Sequence, residues 1–273
     1  MSRFFPPDRR TLLTLILLLF SLLLLLAGTA EKGRIFSRFT EKQPLQRMTL
    51  AEESTPPFVP GCLSVDAALA GTPADAIPEF SAIASADRDT VGQLRTFNAY
   101  DHNKGEYHTV VARLLRIGKY GLFYADTSFT LADAAVQKLQ DDFDGKIYPR
   151  SRNLFGEEAN PGVDGDSLIT ILLYDIRDDN FYDNTVSSII AGYFNAIDSD
   201  PRFVNHRNSN KREMVYVDNQ ALNDDPDFTL GVLAHEYQHL IHRNLDRDEE
   251  SWLNEGMSEL AIVNSGYPRS SPV

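Results

Sequence analysis

The sequence predicts an α+β fold in which a mixed, twisted sheet packs on a long helix near the C-terminus. Three observations predict it. Short β-rich runs bounded by turn residues recur between residues 95 and 217, ahead of two closing helical patterns. One nearly continuous apolar run, Leu168 to Tyr174, reads as a strand covered on both faces. A stripe of Leu230, Leu233, Ala234, Tyr237, Leu240 and Ile241 has the spacing of a helix lying on a core.

The elements follow in chain order. Arg3, Arg9 and Arg10 precede the uncharged run from Leu12 to Ala27, and the small residues Gly28, Thr29 and Ala30 follow it. A basic start, an apolar middle and a small-residue end make residues 1–30 a secretory signal peptide, and hence an exported chain: secreted, periplasmic or cell-surface. The apolar run is 16 residues long, short of the roughly 20 a spanning helix needs. The alternative, a membrane anchor over residues 11–30, stays open, and a membrane contact is expected only if that segment is uncleaved. Residues 31–88 carry Pro44, Pro56, Pro57, Pro60, Pro73 and Pro78 without sustained periodicity. They read as a linker or a pro-like segment.

Residues 89–273 read as the folded domain. Arg95 to Tyr100 and Tyr107 to Leu115 are strands around the turn Asp101 to Gly105, and Gly121 to Ala125 is a third. Their aromatic residues Phe97, Tyr100, Tyr107, Phe123 and Tyr124 are read as core. Thr130 is expected to cap a helix whose apolar side is Leu131, Ala134, Ala135, Leu139 and Phe143. Leu168 to Tyr174, Ala191 to Asn195 and Glu213 to Val217 follow as strands. Asp225 and Pro226 then start one helix. Ser251 is expected to cap the last, with Trp252, Leu253, Met257, Leu260 and Ala261 on its apolar side.

Charge and cysteine content exclude several classes. With 26 Lys and Arg against 39 Asp and Glu, the net charge is −13, the wrong sign for a nucleic-acid partner, which needs a basic face against phosphate. The single cysteine, Cys62, cannot form an intrachain disulfide or a thiolate metal cluster.

The chemistry is carried by His235-Glu-Tyr-Gln-His239. Residues four apart on a helix share a face, so two imidazoles can reach one Zn²⁺. The neighbouring Glu236 can approach a water at the metal without ligating it, take its proton and pass it to a leaving amine. Random placement produces this pattern in fewer than about one chain in a hundred, so two merely packing histidines are the weaker reading. A zinc site needs a third protein ligand and an open position. Glu255, on the following helix, is the natural candidate. Glu259, one turn on, would accept the free ring N–H of a ligand histidine. The reverse assignment of the two glutamates stays open at this point, because spacing does not separate residues one turn apart. Asp164, Asp166 and the acidic run Asp175, Asp178, Asp179 and Asp183 could hold Ca²⁺, but a tight turn and a solvated loop are the preferred readings. His102, His108 and His206 have no partners at metal-like spacing and are read as surface or structural.

The pattern His235-Glu-x-x-His239 followed by Asn254-Glu255-Gly256 resembles the gluzincins, the thermolysin-like and aminopeptidase-like zinc peptidases. The Trp252-Leu-Asn-Glu-Gly stretch with Ser258-Glu259 behind it is most similar to the hyicolysin-type bacterial metallopeptidases. So are Phe143-Asp-x-Lys-Ile-Tyr-Pro149, Val163-Asp-Gly-Asp166, Gly192-Tyr-Phe194 and Val215-Tyr-Val-Asp218. The resemblance covers about Thr90 to the C-terminus. It implies a zincin-like catalytic domain, a polypeptide substrate, His235, His239 and Glu255 as zinc ligands, and Glu236 as catalytic base and acid. It also implies an edge strand near Met214 to Val217 that pairs with an extended peptide. Gluzincins continue past the third ligand into a helical lobe that supplies an oxyanion-stabilising His or Tyr. The chain ends at Val273, so that lobe is expected to be truncated, with Tyr267 and His242 as possible substitutes.

Overall fold

A computed structural model describes residues 59–64, 89–203 and 205–267. The signal-peptide segment 1–30, residues 31–58 and 65–88 of the linker-like segment, and residues 268–273 lie outside the described residues. β2 (Leu94–Asp101) and β3 (Glu106–Ile117) form the expected hairpin, running from Leu94 opposite Arg113 to Asp101 opposite Glu106. β4 (Gly121–Asp126) is antiparallel to β3, and β5 (Ile169–Tyr174) is parallel to β4. β7 (Met214–Asp218) is parallel to β5 and β6 (Ser188–Phe194) is antiparallel to β7. β1 (Val59–Ser64) is parallel to β6. The result is one seven-stranded mixed sheet in the order β1-β6-β7-β5-β4-β3-β2.

Two expectations change here. Met214 to Val217 is not an edge strand: β7 lies between β6 and β5, and all five of its residues are buried. An unbroken apolar run belongs where both faces are covered and both sides hydrogen-bonded. The edge on that side of the sheet is β1, which comes from inside the segment read as a linker. Pro60 and Gly61 hide it from pattern reading, yet proline is tolerated on an edge strand, where one side of the backbone needs no donor.

Among the described residues six helices complete the framework, with a π turn, Phe143–Ile147, joining the first two. α1 (Asp133–Asp142) and α2 (Tyr148–Phe155) precede β5; the one-turn helices α3 (Asp179–Tyr182) and α4 (Ala196–Ser199) flank β6. α5 (Pro226–Leu245) and α6 (Ser251–Ser265) follow β7, and α5 is the longest of the described helices. Thr130 does not cap α1. The N-cap is Ala132, and the Asn223 carboxamide holds the entry instead, accepting from the Ala132 N–H (2.9 Å) and donating to the Thr130 carbonyl (3.2 Å). Ala134 is exposed and Val136 is buried in its place. α6 likewise starts from Glu250, one residue before Ser251, without a side-chain cap.

The sheet has an apolar core on each face. Phe123, Ile171, Leu173 and Val215 pack under α1, α2 and α5. Tyr124, Leu172, Tyr174, Tyr193 and Tyr216 face the other way and are covered by Phe97, Ala99, Val110 and Ala112 as β2 and β3 curl back over them. Two ties close the curl. The Tyr100 N–H donates to Tyr193 Oη (3.1 Å), and Asn98 exchanges two 2.8 Å bonds with the Asn210 carboxamide. Beneath them Asp198 is fully buried, accepting from Tyr216 Oη and the Asn210 N–H at 2.6 Å each. Burial pushes its carboxyl up to about 7 against those bonds.

Candidate metal centre

α5 enters the core because its sequence is apolar on more than one side: every residue from Thr229 to Ile241 is buried. Asp225 caps it, accepting from the Phe228 N–H at 3.0 Å, as the sequence predicts. Such a cap contributes ~1 kcal/mol, whereas each fully buried Leu or Ile of the stripe contributes about 1.5–3 kcal/mol. Packing fixes the helix. Tyr237 anchors its middle by donating to Glu158 Oε2 at 2.7 Å. On the sheet side α5 lies against Gly192 of β6 so closely that a Cβ there would sit 2.6 Å from Val232 Cγ1 and 3.0 Å from Glu236 Cγ.

These contacts make His235, Glu236 and His239 interior side chains, exposed by 1%, 0% and 2%. After the turn at residues 246–250, α6 packs back along α5 and brings in Glu255. His235 Nε2 and His239 Nε2 are 3.0 Å apart; Glu255 Oε2 is 3.3 Å from the first and Glu255 Oε1 is 3.6 Å from the second. Three ligand atoms bound tetrahedrally at ~2.0–2.1 Å would be about 3.4 Å apart, so the triangle has the dimensions of one face of a zinc tetrahedron. Among the described residues these three form the His, Cys, Asp and Glu cluster able to hold a metal ion.

The electrostatics agree with the geometry. Burial alone would lower the pKa of His235, but Glu255, then Glu259 and Glu236, raise it to about 9. Burial alone would raise that of Glu255, but His235 and His239 hold it at about 2. With no metal the site is thus an imidazolium–carboxylate pair.

The outer ring nitrogens have their own partners. Glu259 Oε1 lies 3.5 Å from His235 Nδ1. His239 Nδ1 lies 3.1 Å from both Asn254 Oδ1 and Ser258 Oγ, and Ser258 also donates to Gln238 Oε1. Spacing alone left the two glutamates interchangeable; in the fold Glu255 faces both Nε2 atoms and Glu259 faces an Nδ1. The contributions of Asn254, Ser258 and Gln238 were not read from the sequence. Their signal was available: Ser258 is one helical turn from Asn254, on the face that carries Glu255.

The remaining candidates lie elsewhere. His242 turns toward Gln238 (3.3 Å) and Glu249 (3.9 Å), and Tyr267 toward Asp142 and Lys146. The acidic groups serve their own loops. Asp164 accepts from the Asp166 N–H and Asp166 from the Leu168 N–H, forming the turn into β5. Asp178 accepts from the N–H groups of Phe181 and Ile190; Asp175, Asp179 and Asp183 accept from Gln220, Asn103 and Thr185. His102 packs edge-on to Tyr193, and burial pushes its pKa down to about 4. His108 lies near the Tyr174 ring, and His206 Nδ1 accepts from the Asn208 N–H. Among the described residues no helix is long and apolar enough to cross a membrane.

No protein-family model matches the chain. It is 30% identical over 184 residues to the neutral metalloprotease ShpI of Staphylococcus hyicus. That alignment spans 62% of this chain and 39% of the relative, so the chain corresponds to less than half of that protein's length.

Proposed function

We propose that this chain is an exported zinc-dependent peptidase of gluzincin type, built on a zincin-like sheet and helix pair. The observation that carries the reading is the His235–His239–Glu255 triangle, sized for one face of a zinc tetrahedron, with Glu236 next to His235 on α5. The similarity to a protein named a neutral metalloprotease supports it.

The donor set fits zinc: two neutral imidazole nitrogens and one carboxylate, with a fourth position left for water or substrate. When bound, zinc supplies a Lewis acid that polarises a peptide carbonyl and makes water more acidic. The chain's residues do the rest. His235 and His239 would bind through Nε2 and Glu255 through its carboxylate. Glu259 would fix His235 by accepting its Nδ1–H, and Asn254 would do the same for His239, with Ser258 alongside. Glu236, fully buried on α5, would take the proton from the attacking water and hand it to the departing amine.

The test is hydrolysis of an unstructured protein such as casein by the zinc-loaded chain and by Glu236→Gln, with zinc counted in both. Activity in the parent alone, with one zinc per chain in each, is the expected result. A second reading is a module that holds zinc without turnover. Zinc bound at one per chain with no hydrolysis in either form would select it.

A further inference from the structure

Strand β6 approaches the candidate metal centre at two residues. Gly192 is the β6 residue against which Glu236 and Val232 pack, and Phe194 shares a cleft with His239, His242 and Asn254. On its inner side β6 is paired with β7 only from Gly192 to Phe194. Its outer side is the natural place for an extended peptide, because an unpaired strand edge offers a row of backbone donors and acceptors.

In this chain that edge is occupied. Val59–Ser64 runs parallel to β6 along its length, Val59 opposite Ser188 through Ser64 opposite Phe194. The pairing skips Ala191, so that Cys62 falls opposite Gly192 and Ser64 opposite Phe194. Both β6 residues that border the metal centre therefore have their outer backbone facing β1. Neighbouring strands lie ~4.8 Å apart, so no second strand fits between β1 and β6. The segment also belongs to the stretch whose prolines marked it as pro-like, separated from the domain's first described residue, Asp89, by residues 65–88.

We propose that Val59–Ser64 is the chain's own occupant of the peptide-docking edge beside the metal centre, and that it must leave β6 before a substrate can pair there. The proposal rests on the peptidase reading and adds partial latency to it: the intact chain is held in cis to a low but measurable rate, and a cut within residues 65–88 followed by release of β1 opens the edge. A segment tethered to the domain acts at an effective concentration in the millimolar range, so even a weakly pairing strand would suppress activity about tenfold or more.

The experiment uses the full zinc-loaded chain with a recognition sequence for an unrelated protease inserted between residues 65 and 88. Casein hydrolysis and hydrogen exchange of the β6 amides are measured before and after nicking. A second variant, Cys62→Pro, removes a donor from β1 and leaves the metal centre untouched. Nicking and Cys62→Pro should each raise hydrolysis about tenfold or more and speed exchange at Ser188–Phe194. A synthetic peptide of residues 57–66 should reverse the gain at millimolar concentration. The proposal is overturned if both forms hydrolyse at the intact rate while Glu236→Gln abolishes that rate, a result that leaves the peptidase reading standing. If no form hydrolyses, the peptidase reading falls and exchange alone decides the seat of β1: faster β6 exchange on nicking supports it, and unchanged exchange overturns it.

Discussion

Gly192 and Glu236 meet across the sheet–helix interface: a methyl group on Gly192 would come within 3.0 Å of Glu236 Cγ. It would also press on Val232 Cγ1 at 2.6 Å and on the Tyr216 carbonyl at 3.0 Å. The helix can approach this closely only because β6 carries no side chain at that position. Gly192→Ala should destabilise the domain by about 1–3 kcal/mol, the usual range for overpacking. It should also shift Glu236 and lower any hydrolysis more than it lowers zinc content. Urea midpoints, zinc analysis and rates on one preparation check this; an unchanged midpoint would refute the close fit.

Zinc retention should rank the site residues. Ala at His235, His239 or Glu255 should abolish stoichiometric zinc. Glu259 and Ser258 meet the two histidines at their outer ring nitrogens, so Glu259→Gln and Ser258→Ala should weaken affinity about 10–100-fold. Competition with a chromophoric chelator gives the order. Loss of zinc in Glu259→Gln with retention in Glu255→Ala would exchange the two roles.

Zinc binding should release a proton. In the metal-free chain His235 keeps its proton up to about 9, so at pH 7 a metal ion must displace it, and affinity should rise with pH up to that value. Calorimetry at pH 7 in buffers of different ionisation enthalpy should report about one proton released per zinc. The sign for stability follows from the same shift. A His pKa raised from 6.5 to about 9 gives the metal-free fold stability that is complete below about 6.5 and is lost as pH rises through 9.

Asp198 gives a pH dependence of the same sign in a lower window. Its carboxyl is raised from 3.8 to about 7, so the unfolded chain gives up this proton first and stability falls as pH climbs from about 4 to 7. Asp198→Asn keeps the shape, and Tyr216 can turn its hydroxyl toward the Asn98 carbonyl, 3.2 Å away. The variant should lose less stability than the parent between pH 5 and pH 8, read as the difference in urea midpoints. Equal losses would mean that Asp198 is ionised throughout.

The His235–His239–Glu255 cluster was legible because its elements are local. An i, i+4 histidine pair on a capped amphipathic helix and a glutamate on the next helix need only helical geometry, and β2 to β5 needed only period-two or continuous apolar runs. What stayed hidden is non-local. Nothing in Met214–Asp218 says which strands flank it, so an interior strand was expected to be an edge. Pro60 and Gly61 break the alternation that marks a strand, so β1 was expected to be linker. Ala132 and Glu250 start helices without cap bonds because Asn223, in the first case, supplies the missing groups from a distant loop.

The His235–His239–Glu255 triangle draws on two helices separated by the charged turn at 246–250, and this would give a bound ion a mechanical role besides the proposed chemical one. A metal held by His235, His239 and Glu255 is a cross-brace between α5 and α6. α5 is locked into the sheet by its own buried stripe, while α6 leaves Trp252, Leu260 and Val263 exposed and relies more on its neighbour. On the proposed reading, a chelator would act on the fold as well as on the chemistry. It would unfasten the last helix from an otherwise intact domain, and the turn between the two helices would become the place where that loosening is first felt.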